Sequence, residues 1–154
     1  MRVTIYKSYM HSRKRHSFEL ECQGKGTEDN PILISSESFP NSFIILESNL
    51  FIYIKDCRFN QFSCSLSKNL VLENCILNYL ELKSCSEIKI KKVQGKFFNI
   101  IKSNNCVFTD CVYTKGFGIF KSNNNLIKNC DLKKKLIVKS SKGNLYENNQ
   151  ILET

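Results

Sequence analysis

The sequence predicts an all-β, single-domain right-handed parallel β-helix, a solenoid of about six to seven coils of 18–19 residues behind an N-terminal capping segment. Three observations predict it. Similar residues recur at a fixed step, apolar residues alternate within each step, and Asp or Asn sits where the alternation breaks. The expected division is an N-terminal cap or arm over 1–31 and the β-helix over 32–154.

The step is clearest at Cys57, Cys75, Val93, Cys111, Cys130 and Asn149, which are 18, 18, 18, 19 and 19 residues apart. The preceding residues are Asp56, Asn74, Lys92, Asp110, Asn129 and Asn148. Five of these six are Asp or Asn, which tolerate the left-handed conformation of tight turns. Before this corner run Ile52, Leu70, Ile88, Cys106, Asn125 and Asn144, then Ile54, Leu72, Ile90, Phe108, Ile127 and Tyr146. After it come Phe59, Leu77, Gly95, Tyr113, Leu132 and Ile151. A third side begins with Phe62, Leu80, Phe98, Phe117 and Leu136, continues with Cys64, Leu82, Ile100, Ile119 and Val138, and ends on Ser67, Cys85, Ser103, Ser122 and Ser141.

Pairs spaced by two are short strands with alternate side chains inward, and each break is a corner. Three strands per coil imply a triangular section. Coils stacked at ~4.8 Å place like residues over like, in aliphatic, aromatic, thiol and Asn ladders. Projection one coil upstream gives Ile34, Phe39, Ile44 and Leu46 inside a weaker coil over 32–49. About six and a half coils make a rod on the order of 30 Å long. Helical repeats would need longer stretches at 3.6 periodicity. Left-handed hexapeptide coils usually carry a small residue at a fixed place in each hexad, which this chain lacks, and parallel β crossovers favour the right-handed sense.

Composition bounds the function classes. The formal net charge is +9, part of it in His11-Ser12-Arg13-Lys14-Arg15-His16, so a polyanion is an electrostatically reasonable partner. The eight Cys form no CxxC pair, and both His lie near the N-terminus, so no metal site is expected. Free thiols and the lack of a signal-peptide core in MRVTIYKSYM lead to an expected cytoplasmic setting. No segment has the ~20 apolar residues of a membrane span.

The stretch Gly24-Lys25-Gly26-Thr27-Glu28-Asp29-Asn30-Pro31-Ile32-Leu33-Ile34 resembles the entry to the first coil in repeat proteins of the pectate-lyase-like superfamily. Lys68-Asn69-Leu70-Val71-Leu72-Glu73-Asn74-Cys75 and Asn123-Asn124-Asn125-Leu126-Ile127-Lys128-Asn129-Cys130 resemble its short parallel β-helix repeats. The resemblance covers about residues 24–151 and implies the fold. For the enzymes of that superfamily it also implies acids clustered on one outward face. The candidates are Asp56, Glu73, Asp110, Asp131 and Glu147, interrupted by Asn74, Lys91, Lys92 and Asn129. Asp56 and Asp110 stand three coils apart, ~14 Å at the stacking distance, too far for paired-carboxylate chemistry. The Cys-bearing corners also resemble those of tubulin-binding cofactor C, but Arg58 is the only Arg in the coils and that family's Arg motif has no counterpart. No catalytic residue, metal or cofactor is assigned.

The outward positions carry the remaining information. One register reads Tyr53, Val71, Lys89, Val107, Leu126 and Leu145, an apolar stripe interrupted once. Such stripes mark something that covers them: residues 1–24, a second copy or another partner. The candidate interface is Tyr53, Val71, Val107, Leu126 and Leu145. Beside it run Lys55, Glu73, Lys91, Thr109, Lys128 and Glu147, whose alternating signs suit neighbouring strands. At another corner Lys83, Lys102, Lys121 and Lys139 could track an anionic polysaccharide or nucleic acid, with Ile101 and Phe120 nearby and Lys133, Lys134 and Lys135 as a further basic run. The thiols read as buried core. The last coil carries Asn144, Asn148 and Asn149 as a partial polar cap over otherwise open strands.

The expected function is that of a non-enzymatic scaffold, self-associating through the apolar stripe or the open C-terminal coil. A carbohydrate-active or carbohydrate-binding protein, as the resemblance implies, and a polyanion binder using the lysine corner are the alternatives.

Overall fold

The computed structural model describes residues 2–8, 15–21, 23–133 and 136–151. These residues form a parallel β-solenoid of about 6 turns, with no helix among them. A hairpin of β1 (Arg2–Ser8) and β2 (Arg15–Glu21) precedes the coils. A narrow sheet stacks β3 (Ile32–Ser35), β5 (Ile52–Lys55), β7 (Leu70–Glu73), β9 (Lys89–Lys91), β11 (Val107–Thr109), β13 (Leu126–Lys128) and β16 (Leu145–Glu147). A wide sheet stacks β4 (Ser38–Leu46), β6 (Arg58–Ser65), β8 (Ile76–Lys83), β10 (Gln94–Ile101) and β12 (Val112–Phe120). Beyond β12 lie β14 (Asp131–Leu132), β15 (Leu136–Lys139) and β17 (Gln150–Ile151), where β14 and β15 both pair with β12 and β17 with β14.

The corners follow from backbone conformation. Asp56, Asn74, Lys92, Asp110, Asn129 and Asn148 all have positive φ, between 50° and 56°. A second left-handed column runs through Glu47, Leu66, Ser84, Lys102, Lys121 and Ser140, and a third through Asn69, Glu87, Asn105, Asn124 and Gly143. The residue that follows the left-handed one reaches back across the turn. Cys57, Cys75, Cys111 and Cys130 each donate a thiol hydrogen bond to the carbonyl two residues earlier, at 3.1–3.3 Å. Ser67, Ser103, Ser122 and Ser141 do the same with hydroxyls at 2.8–3.0 Å. Each of these carbonyls also accepts a backbone amide of the neighbouring coil, so the small polar side chains at both corners add a second bond to an acceptor with two lone pairs.

Two expectations need correction. The second and third sides of a coil are one continuous bent strand from β4 to β12, and only β14 and β15 are separate. None of the left-handed residues falls at that bend, so the chain turns there without a residue of positive φ. The first coil is also offset from the projection. Phe43 and Ile45, not Ile44 and Leu46, stack on Phe62 and Cys64. Phe43 and Ile45 are buried and Ile44 is not. Ile34 stacks on Ile54, a step of twenty residues. The pairing shifts between Phe39 and Ser42, where Pro40 cannot donate to the ladder and an extra residue is taken up.

Inside, like stacks on like. Phe39 lies over Phe59 with ring centroids 5.1 Å apart and nearly coplanar, and Phe43 over Phe62 at 5.5 Å. Gly95 breaks the fourth inward column because a Cβ there would come within 2.3 Å of the Phe98 ring. The freed volume lets Phe98 meet Tyr113 edge-on at 4.1 Å. The entry turn is equally constrained. Gly24 has φ of 103°, and a Cβ would lie 2.0 Å from the Pro31 carbonyl oxygen. The amides of Lys25, Gly26 and Thr27 converge on the carbonyl of Asn30.

The N-terminal hairpin extends the wide sheet, with β1 antiparallel to β4 at Tyr6 and Ile44. Gln23 bridges to Leu33 at the edge of the narrow sheet. The described backbone of this segment thus pairs at the edges of the first coil. The basic run lies outside the described residues at 11–14.

Candidate interaction surface

The outer face of the narrow sheet is built by simple alternation. Ile52, Ile54 and their equivalents point into the core, so the residues between and after them point out. The pairing register places Leu33, Tyr53, Val71, Lys89, Val107, Leu126 and Leu145 in one unbroken column. Leu33 is the member that the sequence argument left out, because the first coil is longer by two residues. Tyr53, Val71, Val107 and Leu126 are half-buried by their neighbours in the column, and Leu145 is 60% exposed.

The adjacent column is Ser35, Lys55, Glu73, Lys91, Thr109, Lys128 and Glu147. Lys91 Nζ lies 3.4 Å from Glu73, and Lys128 Nζ 2.9 Å from Glu147. The Tyr53 hydroxyl donates to the Glu73 carboxylate, which joins the two columns. That bond, then burial, pushes the Tyr53 phenol up to about 12, and the same bond, with help from Lys91, holds the Glu73 carboxyl below its usual range.

The lysine corner does not form one column. Lys83 and Lys139 end strands and share a register with Ile101 and Phe120, which separate them. Lys102 and Lys121 are the next residues of the chain in their own coils and occupy the left-handed column. Only Lys102 and Lys121 are stacked neighbours. Lys133 is paired with Asp131 at 3.7 Å, and Lys134 and Lys135 lie outside the described residues.

Seven cysteines are free and buried, and Cys22 lies outside the described residues. Cys64, Cys75 and Cys111 are each held protonated first by a hydrogen bond with a neighbouring thiol, of Cys85, Cys57 and Cys130 in turn, and then by burial. Burial pushes the Cys106 thiol up to about 12. These four are inert core groups, whereas the same thiol–thiol bonds lower their partners Cys85, Cys57 and Cys130. Among the described residues no three His, Cys, Asp or Glu side chains gather as a metal would need, and no helix is long and apolar enough to cross a membrane.

The wide sheet carries a feature that the sequence reading missed. A groove of about 450 Å³ is lined by Asn60, Gln61, Asn78, Tyr79, Lys96 and Phe97. Asn78 donates to Asn60 at 2.8 Å, Asn99 donates to the Tyr79 hydroxyl at 2.9 Å, and Lys115 lies 5.9 Å from the centre of the Phe97 ring. Phe97 is 44% exposed. Its adjacency to the inward Phe98 hid it, because an FF pair reads as core. The second groove, of about 230 Å³, lies at the Asp56 corner, where Asn74 donates to Asp56 at 2.6 Å.

No protein-family model, curated protein or solved structure matches this chain. The class that the fold defines is the parallel β-solenoid.

Proposed function

We propose that this protein is a β-solenoid scaffold that acts by binding rather than by catalysis, and that its working surface is the outer face of the narrow sheet, seated against a second copy of the chain. The observation that carries the reading is the apolar column from Leu33 to Leu145, across which no described residue of the chain folds. A second copy suits this face because the neighbouring column carries both signs of charge, so the same surface supplies what it needs. A strongly cationic partner would meet Lys55, Lys89, Lys91 and Lys128, and a strongly anionic one would meet Glu73 and Glu147. Seven strands at ~4.8 Å and three to four residues in width give on the order of 350–400 Å² per copy. Two copies together bury about 700–800 Å², less than stable interfaces bury, so association is expected to be weak and to depend on concentration.

Val107→Asp and Leu126→Asp each place a carboxylate on the column without touching the core. Light scattering over a concentration series is expected to show the parent forming dimers and both variants remaining monomeric. Parent and variants that behave alike would remove the reading.

A second reading is favoured by the groove on the wide sheet. An exposed aromatic beside a row of side-chain amides suits the face and hydroxyls of a sugar ring, and the resemblance of the Gly24–Ile34 entry and the coil repeats to the pectate-lyase-like superfamily points the same way. A glycan array, with a uronate-lyase assay in Ca²⁺, tests it. Binding that is lost in Phe97→Ala supports the groove, and silence in both assays removes it.

A further inference from the structure

We infer that two copies meet on the narrow sheet with their coil stacks antiparallel, related by a two-fold axis that runs along the strands between the Lys91 and Thr109 coils. The inference rests on the reading of that face as an interface between copies, and adds how the copies are arranged.

Two identical flat faces packed against each other are related by a two-fold axis lying in the interface plane. If the axis runs along the stack through the apolar column, the charge columns fall on opposite flanks unpaired and Lys89 meets Lys89; through the charge column, every residue meets its own counterpart, Lys55 on Lys55, Glu73 on Glu73 and Lys91 on Lys91. Each such pair repels. If the axis runs along the strands, the column meets itself reversed. Placed between Lys91 and Thr109, that axis sets Lys55 against Glu147, Glu73 against Lys128 and Lys91 against Thr109. The two-fold repeats each contact, so Lys55–Glu147 and Glu73–Lys128 each occur twice, with no like-charged pair. Moving the axis onto Lys91 sets Lys91 on Lys91 and Lys55 on Lys128. Moving it onto Thr109 sets Lys91 on Lys128 and Glu73 on Glu147. Moving it a full coil either way leaves one kind of opposite-charge pair, Glu73–Lys91 or Lys91–Glu147, so the order of signs favours the register that has two.

The apolar column agrees with that register. Tyr53 faces Leu145 and Val71 faces Leu126, while Lys89 faces Val107. Leu145, the most exposed apolar member, gains an aromatic partner. Lys89 is then the one polar intrusion, near the centre of the contact. Ser35 and Leu33 lie one coil beyond the paired region.

A spin label on Ser35→Cys reads the arrangement without altering a paired residue. The seven described native thiols are buried, and the parent chain labelled in parallel supplies the background. In the antiparallel dimer the two labels stand seven coil spacings apart along the stack, so pulsed dipolar spectroscopy is expected to give about 35 Å. A distance of about 10–15 Å, the sheet spacing plus linkers, would overturn the arrangement while leaving the interface in place. A monomer at every concentration would instead remove the interface itself. Charge variants supply the second arm. Lys55→Glu is expected to weaken the dimer about tenfold, and addition of Glu147→Lys to restore it. Lys89→Leu is expected to tighten it. Failure of the double variant to recover would overturn the register.

Discussion

The hydroxyl of Tyr53 donates to the carboxylate of Glu73 in the next coil, tying the apolar column to the charge column on the same face. The Tyr53 phenol is raised to about 12, above its unfolded value of 10, so its contribution is present below pH 10 and lost as pH rises from 10 through 12. The Glu73 carboxyl is lowered, so its contribution is present above pH 4.5 and lost as pH falls below that. NMR titration of ring-labelled tyrosine is expected to place Tyr53 near 12, and Glu73→Gln to bring it down toward 10. A Tyr53 resonance that titrates near 10 in the parent would contradict the bond.

The serine column is a continuous backbone clamp. Ser103 Oγ accepts the Cys85 amide at 3.0 Å and donates to the Ile101 carbonyl, and Ser122 Oγ accepts the Ser103 amide in turn. Ser103→Ala leaves the buried Cys85 amide without its acceptor and is expected to cost about 1–3 kcal/mol in denaturant unfolding. Ser141→Ala, at an exposed coil, is expected to cost less. Equal losses at the two sites would show that burial is not what makes the bond matter.

Gly95 is a packing requirement rather than a turn residue. An added Cβ would lie 2.3 Å from the Phe98 ring and 2.9 Å from the Leu77 carbonyl oxygen. Gly95→Ala is expected to destabilise by about 1–3 kcal/mol through overpacking, although alanine suits a strand better than glycine does. Gly116→Ala, where the nearest atom is 3.6 Å away, serves as the control and is expected to be tolerated. A stable Gly95→Ala variant would mean that the Phe98 ring can move.

Leu66 is left-handed, with φ of 51°, and 56% exposed. It carries both the backbone strain of that conformation and an apolar side chain in water. Leu66→Asn is expected to raise stability by about 1 kcal/mol. A thermal midpoint that falls would show that Leu66 makes a contact worth more than the strain.

Much of this fold is legible because the solenoid repeats each physical requirement every coil. Asp56, Asn74, Asp110, Asn129 and Asn148 announce one corner, and the inward registers follow by alternation. The bend inside β8 or β10 carries no such residue, so its continuity with the third side is invisible in the sequence. The first coil is misplaced by projection because it holds one extra residue between Leu46 and Ile52 and another between Phe39 and Ser42, where the regular step allows none. The serine register reads only as small until the structure reveals its bonds to two backbones. The outer apolar column is legible from the step alone, whereas the groove at Phe97 needs the bend of the wide sheet to bring Asn60, Asn78 and Phe97 together. The lysines at 83, 102, 121 and 139 look like one corner in sequence but divide between two registers, since a shift of one residue separates strand end from turn.

On the proposed reading, a second copy covers the outer column of the narrow sheet. Hydroxyl-radical footprinting at rising protein concentration measures this directly at Val71, Val107, Leu126 and Leu145. Oxidation of these side chains is expected to fall as concentration rises, while Phe97 and Leu66 on other faces keep their rates. Oxidation of the column that stays constant over the same range, or protection that appears only at Phe97, would contradict it.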